Sequence, residues 1–287
     1  MPAGSPERGG ERLSVSKIKN LIILILLLGI LGLLPAVVPT QASRSSEERN
    51  VHEKLETLYD SYGLTLDAQS LPASQTLYSI EIETLDAKSA AQAFLGSGAK
   101  QEEESGRMSI AYTSSLGTLT LSRSGALSVR LTGGSESHDL TRATKRYLRT
   151  MEFDAAELSV PTRQSAGIYS VQAMQSLFGV PVFESALVFT YRNNVLSGVE
   201  GNYYPAGETV RVSEDACISC ADALVCLLSS RDQLGWVGSQ ILSCTQGYLH
   251  SETASSAMRF VPVWQIDTDT GSFYVNGLTC EVRQIAS

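Results

Sequence analysis

The sequence predicts an α+β protein: a single N-terminal transmembrane helix followed by two extracytoplasmic modules, each a helix with an antiparallel sheet. Three observations predict it. Leu21–Val38 reads LIILILLLGILGLLPAVV, eighteen residues without a charge. At about 1.5 Å per residue such a helix is roughly 27 Å long, near the hydrocarbon thickness of a bilayer. Downstream, stretches of helical period are followed by runs of alternating polarity, and this order occurs twice. Finally, 23 glycines and many serines supply the turns that short strands need.

The expected divisions are a cytoplasmic tail over 1–16, the membrane helix over 17–39, a first module over 45–135 and a second over 136–285. Arg8, Arg12, Lys17 and Lys19 precede the apolar run. This basic excess places the short N-terminus inside and the bulk of the chain outside a cytoplasmic membrane. A cleaved signal peptide is the rival reading, with Thr40-Gln41-Ala42 as the cleavage site. Gly29 and Gly32 offer small surfaces for contact with another membrane helix, although their spacing is not Gly-x-x-x-Gly.

In the first module, Val51, Leu55, Leu58 and Tyr62 mark a helix over about 47–62, stopped by Gly63. Residues 76–84 alternate as a strand. Asp86 precedes an Ala-rich helix over 87–95, and three short strands follow at 107–114, 117–122 and 126–132. In the second, helices are expected at 139–151 and 154–158, and 169–176 is readable as strand or helix. Strands at 182–192 and 195–204 flank Asn193-Asn194, with Gly198 and Gly201 marking irregular pairing. Ser213 is the expected cap of a helix over 214–230. A strand over 240–249, a hairpin over 259–276 and an edge strand over 281–285 close the chain.

Charge limits the functions available. The net charge is −8, yet the first twenty residues carry +2, so the remainder carries −10. That argues against nucleic acid, whose phosphates need a basic surface, and against flat adhesion to anionic lipid through a basic face. The five cysteines, Cys217, Cys220, Cys226, Cys244 and Cys280, all lie in the last quarter. Disulfides suit an external domain, but an odd number leaves one thiol over.

Local motifs have competing readings. Cys217-x-x-Cys220 is compatible with packing, a disulfide, or metal and redox chemistry. Cys226 lies nine residues from Cys217 and so on the opposite face of the expected helix. Asp267-x-Asp269-x-Gly271 faintly resembles a calcium loop, but strand-like flanks favour a hairpin turn with Asx hydrogen bonds. Trp264 and Phe273 lie on the arms of that hairpin, as core residues or as a partner surface. Tyr203 and Tyr204 are either buried strand residues or the lining of a peptide groove. No metal site, cofactor site or catalytic set is expected.

The C-terminal half carries a resemblance. Gly179-Val180-Pro181-Val182-Phe183-Glu184-Ser185, Phe189-Thr190-Tyr191 and Leu196-Ser197-Gly198-Val199-Glu200-Gly201-Asn202-Tyr203 precede Phe260-Val261-Pro262-Val263-Trp264-Gln265-Ile266-Asp267-Thr268-Asp269-Thr270-Gly271. Phe273-Tyr274-Val275-Asn276 and Leu278-Thr279-Cys280-Glu281-Val282 follow. Together these resemble the YycH/YycI family, in its YycI-like branch from Gram-positive bacteria. The resemblance implies one anchor and external modules distantly similar to PepSY domains. It implies a non-enzymatic regulator that modulates an envelope sensor histidine kinase of a two-component system by contact. A related YycH-like protein is a further implied partner, in a homo- or hetero-oligomer. The alternative is a PepSY-like module that binds peptide or inhibits a peptidase. The family ending resembles Thr-Gly-Glu where this chain has Thr279-Cys280-Glu281. Cysteine does not freely take positive φ, so the final turn is expected to differ.

Overall fold

A computed structural model describes residues 41–82, 86–102, 109–205, 207–251 and 258–285. Leu21–Val38, with Gly29 and Gly32, lies outside the described residues. No described helix is long and apolar enough to cross a membrane. The chain divides into a segment up to Thr57 and a compact body from Leu58 to Ser287. Helix α1, Gln41–Ser61, runs through the division.

The body is α+β with an open, mostly antiparallel sheet and few helices. Its elements begin with β1 (Ile80–Ile82), α2 (Lys88–Leu95) and the meander β2 (Lys100–Glu102), β3 (Ser109–Ser114), β4 (Gly117–Ser122) and β5 (Ala126–Leu131). Next come α3 (Leu140–Thr150), β6 (Ala155–Leu158), β7 (Thr162–Ser165), β8 (Ile168–Leu177), β9 (Val180–Arg192) and β10 (Val195–Asn202). The rest is β11 (Thr209–Arg211), α4 (Cys220–Ser229), α5 (Arg231–Leu234), β12 (Ile241–Ser251), β13 (Met258–Thr268), β14 (Gly271–Asn276) and β15 (Val282–Gln284). A helix followed by an antiparallel meander thus occurs three times, behind α2, α3 and α4.

Sheet order joins these units. β5 pairs with β10, with Val129 opposite Val199, so hydrogen bonding continues from the first meander into the second. β9 joins the second to the third. Its start runs parallel to β12, Val182 opposite Tyr248 and Phe183 opposite Leu249, whereas its remainder pairs antiparallel with β10. The change occurs at Glu184, which has φ 58°. Beside it the buried Ser185 hydroxyl donates to the Val182 carbonyl, closing the kink within one strand. β1 lies between β11 and β13, far in sequence from both of its partners.

The first core lies between α2, α3 and the sheet. Leu119, Val129, Val171, Leu187 and Phe189 are fully buried there, and Phe94 stacks on Tyr147 at 5.3 Å between centroids. The buried hydroxyls of Thr144 and Tyr191 satisfy each other at 2.8 Å, which matters because an unpaired buried hydroxyl costs about 1–3 kcal/mol.

Several elements differ from expectation. Residues 154–158 are not helical: exposed Ala155, Ala156 and Glu157 provide no apolar stripe, and the segment pairs with β8 as an edge strand. Residues 169–176 resolve as strand. The last long helix begins at Cys220 rather than Glu214. Before it, Cys217 N donates to Leu77 O at 2.7 Å and Ile218 N to Gly277 O at 2.8 Å, so these amides are committed to distant segments, one ahead of β1 and one just after β14. The cap is therefore Ser219, which completes a reciprocal capping box with Asp222. The expected strand 76–84 is reduced to β1 among the described residues. The irregularity at Gly198 appears as a register shift between Leu196 and Gly198. Cys280 takes φ 59°, so cysteine occupies the left-handed position for which the resemblance has glycine.

Candidate functional site

The four aromatic residues singled out as partner or groove surface are buried. Tyr203 and Tyr204 are 2% exposed, Trp264 0% and Phe273 1%. Tyr203 donates its hydroxyl to Met151 O at 2.8 Å in the first core. Tyr204 is held by the Gln175 side chain, which accepts from its N–H at 2.9 Å and donates to its carbonyl at 2.6 Å. Its ring meets Phe260 edge-on at 4.8 Å. Trp264 Nε1 donates to Ile218 O at 3.0 Å, fastening the segment ahead of α4 to β13. Phe273 packs edge-on to Trp236 at 5.9 Å. These residues organise core rather than surface: Trp264 and Phe273 lie on the helix-covered face of their strands, and just after β10 Tyr203 enters the first core while Tyr204 enters a second around Phe260. Burial raises the phenol pKa of both tyrosines, so neither is an acid at neutral pH.

The cysteines are placed differently from a Cys-x-x-Cys site. Cys226 and Cys280 form a disulfide with Cα atoms 5.6 Å apart, linking α4 to the turn after β14. Cys217 packs against Gly277, where an added Cβ would come within 2.3 Å of its sulfur. Burial raises the Cys217 thiol pKa despite hydrogen bonds with Gln246 and Trp264. The Cys220 thiol is held far above its usual range by its hydrogen bond with Cys244 and then by burial. Both shifts favour the neutral thiol over the thiolate. Among the described residues there is no cluster of metal-ligating side chains.

Asp267 and Asp269 belong to a hairpin turn, but they do not make the expected Asx bonds within it. Asp269 accepts from Ser239 N and Oγ, at 3.0 and 2.7 Å. Asp267 accepts from Ser243 and Ser272 hydroxyls, at 2.6 Å each. The local bond comes from Thr268, whose hydroxyl donates to Gly271 O at 2.7 Å. Asp267 therefore ties β13 to β12 and β14, and Asp269 ties the turn to the segment just ahead of β12.

The open site is elsewhere, on the sheet face opposite α4. Its base is the small buried cluster of Val263, Tyr274 and Phe183, 3–5% exposed, in which the Phe183 ring lies 5.4 Å from that of Tyr274, and half-buried Leu249 and Val261 open onto it. Gly247 permits this approach, since a Cβ there would lie 2.6 Å from the Phe183 ring. Leu249, Val261 and Asn276 continue the lining, and His250, Ser251, Glu281 and Arg283 complete the rim of a cavity of about 210 Å³. Arg283 is 3.0 Å from Glu184 and lies over Tyr274 at 5.4 Å. An apolar floor beside a paired cation and carboxylate suits a short extended segment, whose side chain meets the floor and whose charge competes for the rim.

The sequence carried a signal for this face. Phe260-Val261-Pro262-Val263-Trp264 is apolar at every position. A strand so composed presents apolar side chains on both faces, only one of which α4 covers.

No protein-family model matches the chain, and no curated protein matches it. Solved structures with similar chain paths exist. A crystal structure of an uncharacterized protein from Eubacterium rectale has 8% identity and a TM-score of 0.44, covering 74% of this chain and 82% of that one. The Bacillus megaterium YpeB C-terminal domain has 10% identity and a TM-score of 0.34, covering 72% of this chain and 100% of that one.

Proposed function

We propose that this chain is a non-enzymatic, membrane-anchored extracytoplasmic protein that acts by contact on a membrane partner. The observation that carries the contact reading is the groove over Val263 and Tyr274, rimmed by Glu281 and by Arg283, whose guanidinium is paired with Glu184. The apolar run Leu21–Val38 and the Cys226–Cys280 bridge support an anchored, external location, because disulfides persist in oxidising compartments. The YycI-like residue runs point to an envelope sensor histidine kinase, with a YycH-like protein as a second partner. The chemistry asked of the groove is modest: burial of one or two side chains, with orientation by the charged rim.

Photo-crosslinking from Val261 in the full chain, in native membranes, tests this reading. Capture of a histidine kinase is expected, and Tyr274→Asp should abolish it. Reproducible absence of any kinase among the adducts overturns the kinase assignment. The second reading, a PepSY-like peptide-binding or peptidase-inhibitory module, is favoured by the groove's small size. It predicts that a soluble extended peptide displaces the crosslink and that the full chain slows an external peptidase.

A further inference from the structure

In an acidic protein, helix α3 carries a concentrated basic face. Helix α3 reads LTRATKRYLRT, and Arg142, Lys145, Arg146 and Arg149 are all exposed. They stand at i, i+3, i+4 and i+7, so they form a single stripe about 10 Å long. Leu140, Ala143, Thr144 and Leu148 occupy the opposite, buried face. Within the helix itself no carboxylate interrupts the stripe; along the chain Asp139 stands before it as the N-cap and Glu152 beyond the last turn. Among the described residues, none of the four cations pairs with a carboxylate. Arg149 Nε instead donates to Lys145 O at 3.4 Å, and Arg146 lies 5.7 Å from the Tyr147 ring.

This arrangement is unfavourable for the isolated helix. Arg142 with Arg146, and Lys145 with Arg149, are like charges at i, i+4, which destabilise a helix where opposite charges would support it. The acidic balance of the whole chain argues against adhesion to anionic lipid through a basic face, but net charge hides this local stripe. At physiological ionic strength the Debye length is about 8 Å, so acidic groups farther away do not cancel a local row of cations.

We propose that the exposed face of α3 is a docking surface for anionic phospholipid headgroups of the membrane in which the chain is anchored. This rests on the anchoring reading above. The stripe matches phosphate in charge and contains no exposed aromatic or aliphatic anchor of the kind that centres a protein–protein interface. A fluid array of headgroups adapts to such a row without a fitted partner. The tether makes the encounter local: fewer than about 75 Å of chain separate Val38 from Leu58 even when fully extended. Weak single contacts then act at high effective concentration.

The test places the full chain in vesicles of phosphatidylcholine alone or with one third phosphatidylglycerol, and acetylates lysines with an amine-reactive ester. Lys145 reports the face, while Lys100, on the edge strand β2, is the exposed reference. Acetylation of Lys145 is expected to slow at least about fivefold in the anionic vesicles, with the reference unchanged. Added salt, or the variant Arg142→Gln/Arg146→Gln/Arg149→Gln, should remove the difference. Equal labelling in the two vesicle types, or slowing that survives the triple variant, overturns the proposal. Protection by soluble polyphosphate in neutral vesicles, without protection by phosphatidylglycerol, overturns it in favour of a soluble polyanion. Alkaline carbonate extraction of the neutral vesicles reads the anchor separately. Release of the chain there defeats the anchoring reading itself, whatever Lys145 shows.

Discussion

Helices α3 and α4 each precede an antiparallel meander, yet their side chains serve opposite ends. In α3 the apolar positions are confined to one side, and the other side is a row of Arg and Lys. In α4 Cys220, Ala223, Leu224, Cys226, Leu227 and Leu228 are all buried, leaving only a narrow exposed strip. α4 is capped by Ser219, bridged through Cys226 to Cys280, and held near Leu224 by the hydroxyl of Tyr59 at 2.9 Å. α3 has a single Asp139 cap and one side-chain bond into the sheet, from Thr144 to Tyr191. The difference teaches how stability and recognition are divided. Substitutions around α4 act on folding, whereas those on the outer face of α3 act on encounters with charge.

The largest expected effect is at Trp264, which is fully buried and bonded to Ile218 O. Trp264→Ala should lower unfolding free energy by about 3–5 kcal/mol in urea titration. A loss below about 1 kcal/mol would break the assignment of this ring to the core. Next comes the bridge, which closes a loop across a sequence separation of 54. Replacing Cys226 and Cys280 together by serine should cost about 2–4 kcal/mol, measured the same way without reductant. Unchanged stability would mean that α4 is held by packing alone.

A smaller effect depends on pH. Burial raises the Asp267 pKa, but hydrogen bonds from Ser243, Ser272 and Gln265 outweigh it, and the net direction is down. Ser239 and Gln240 lower that of Asp269. With folded values depressed, this stabilisation is complete above the ordinary aspartate pKa of about 3.9 and is lost as pH falls through the folded values. Thermal melts from neutral to acid pH should therefore show a decline that Asp267→Ala with Asp269→Ala flattens. An identical slope in the double variant would remove these carboxylates as its source.

The smallest effect sharpens the contrast. Arg146→Ala relieves a like-charge pair and should leave stability unchanged or raise it by about 0.2–0.5 kcal/mol. A loss above about 1 kcal/mol would show that the exposed face of α3 carries folding energy, against the division drawn above.

Much of the element order was legible because it follows from local period. The turn residues Thr268-Asp269-Thr270 marked the hairpin of β13 and β14, and the turn at Asn193-Asn194 joins β9 to β10 as its residues require. Helix boundaries failed where distant partners intervened. Ser213 is a good cap by composition, yet its hydroxyl accepts from Ser79 N at 2.9 Å, and the helix waits until Ser219. The candidate site was only half legible. The aromatic residues were identifiable as important, but a sequence does not say whether a hairpin's apolar side meets a helix or a partner.

Composition and periodicity by themselves determined the apolar N-terminal run, the α+β class, the acidic balance and the alternation of the strands. Those depend on nearest neighbours and on sums over the chain. Tertiary structure alone decided that β5 meets β10, that β9 carries the sheet from β10 to β12, that β1 is inserted beside β13, and that Cys226 finds Cys280. It also buried Tyr203, Tyr204, Trp264 and Phe273 and left Val263 and Tyr274 beneath an open groove. The physical reason is that burial is a property of pairs of surfaces. A strand's pattern states which side chains share a face, but only the packed chain supplies what covers it.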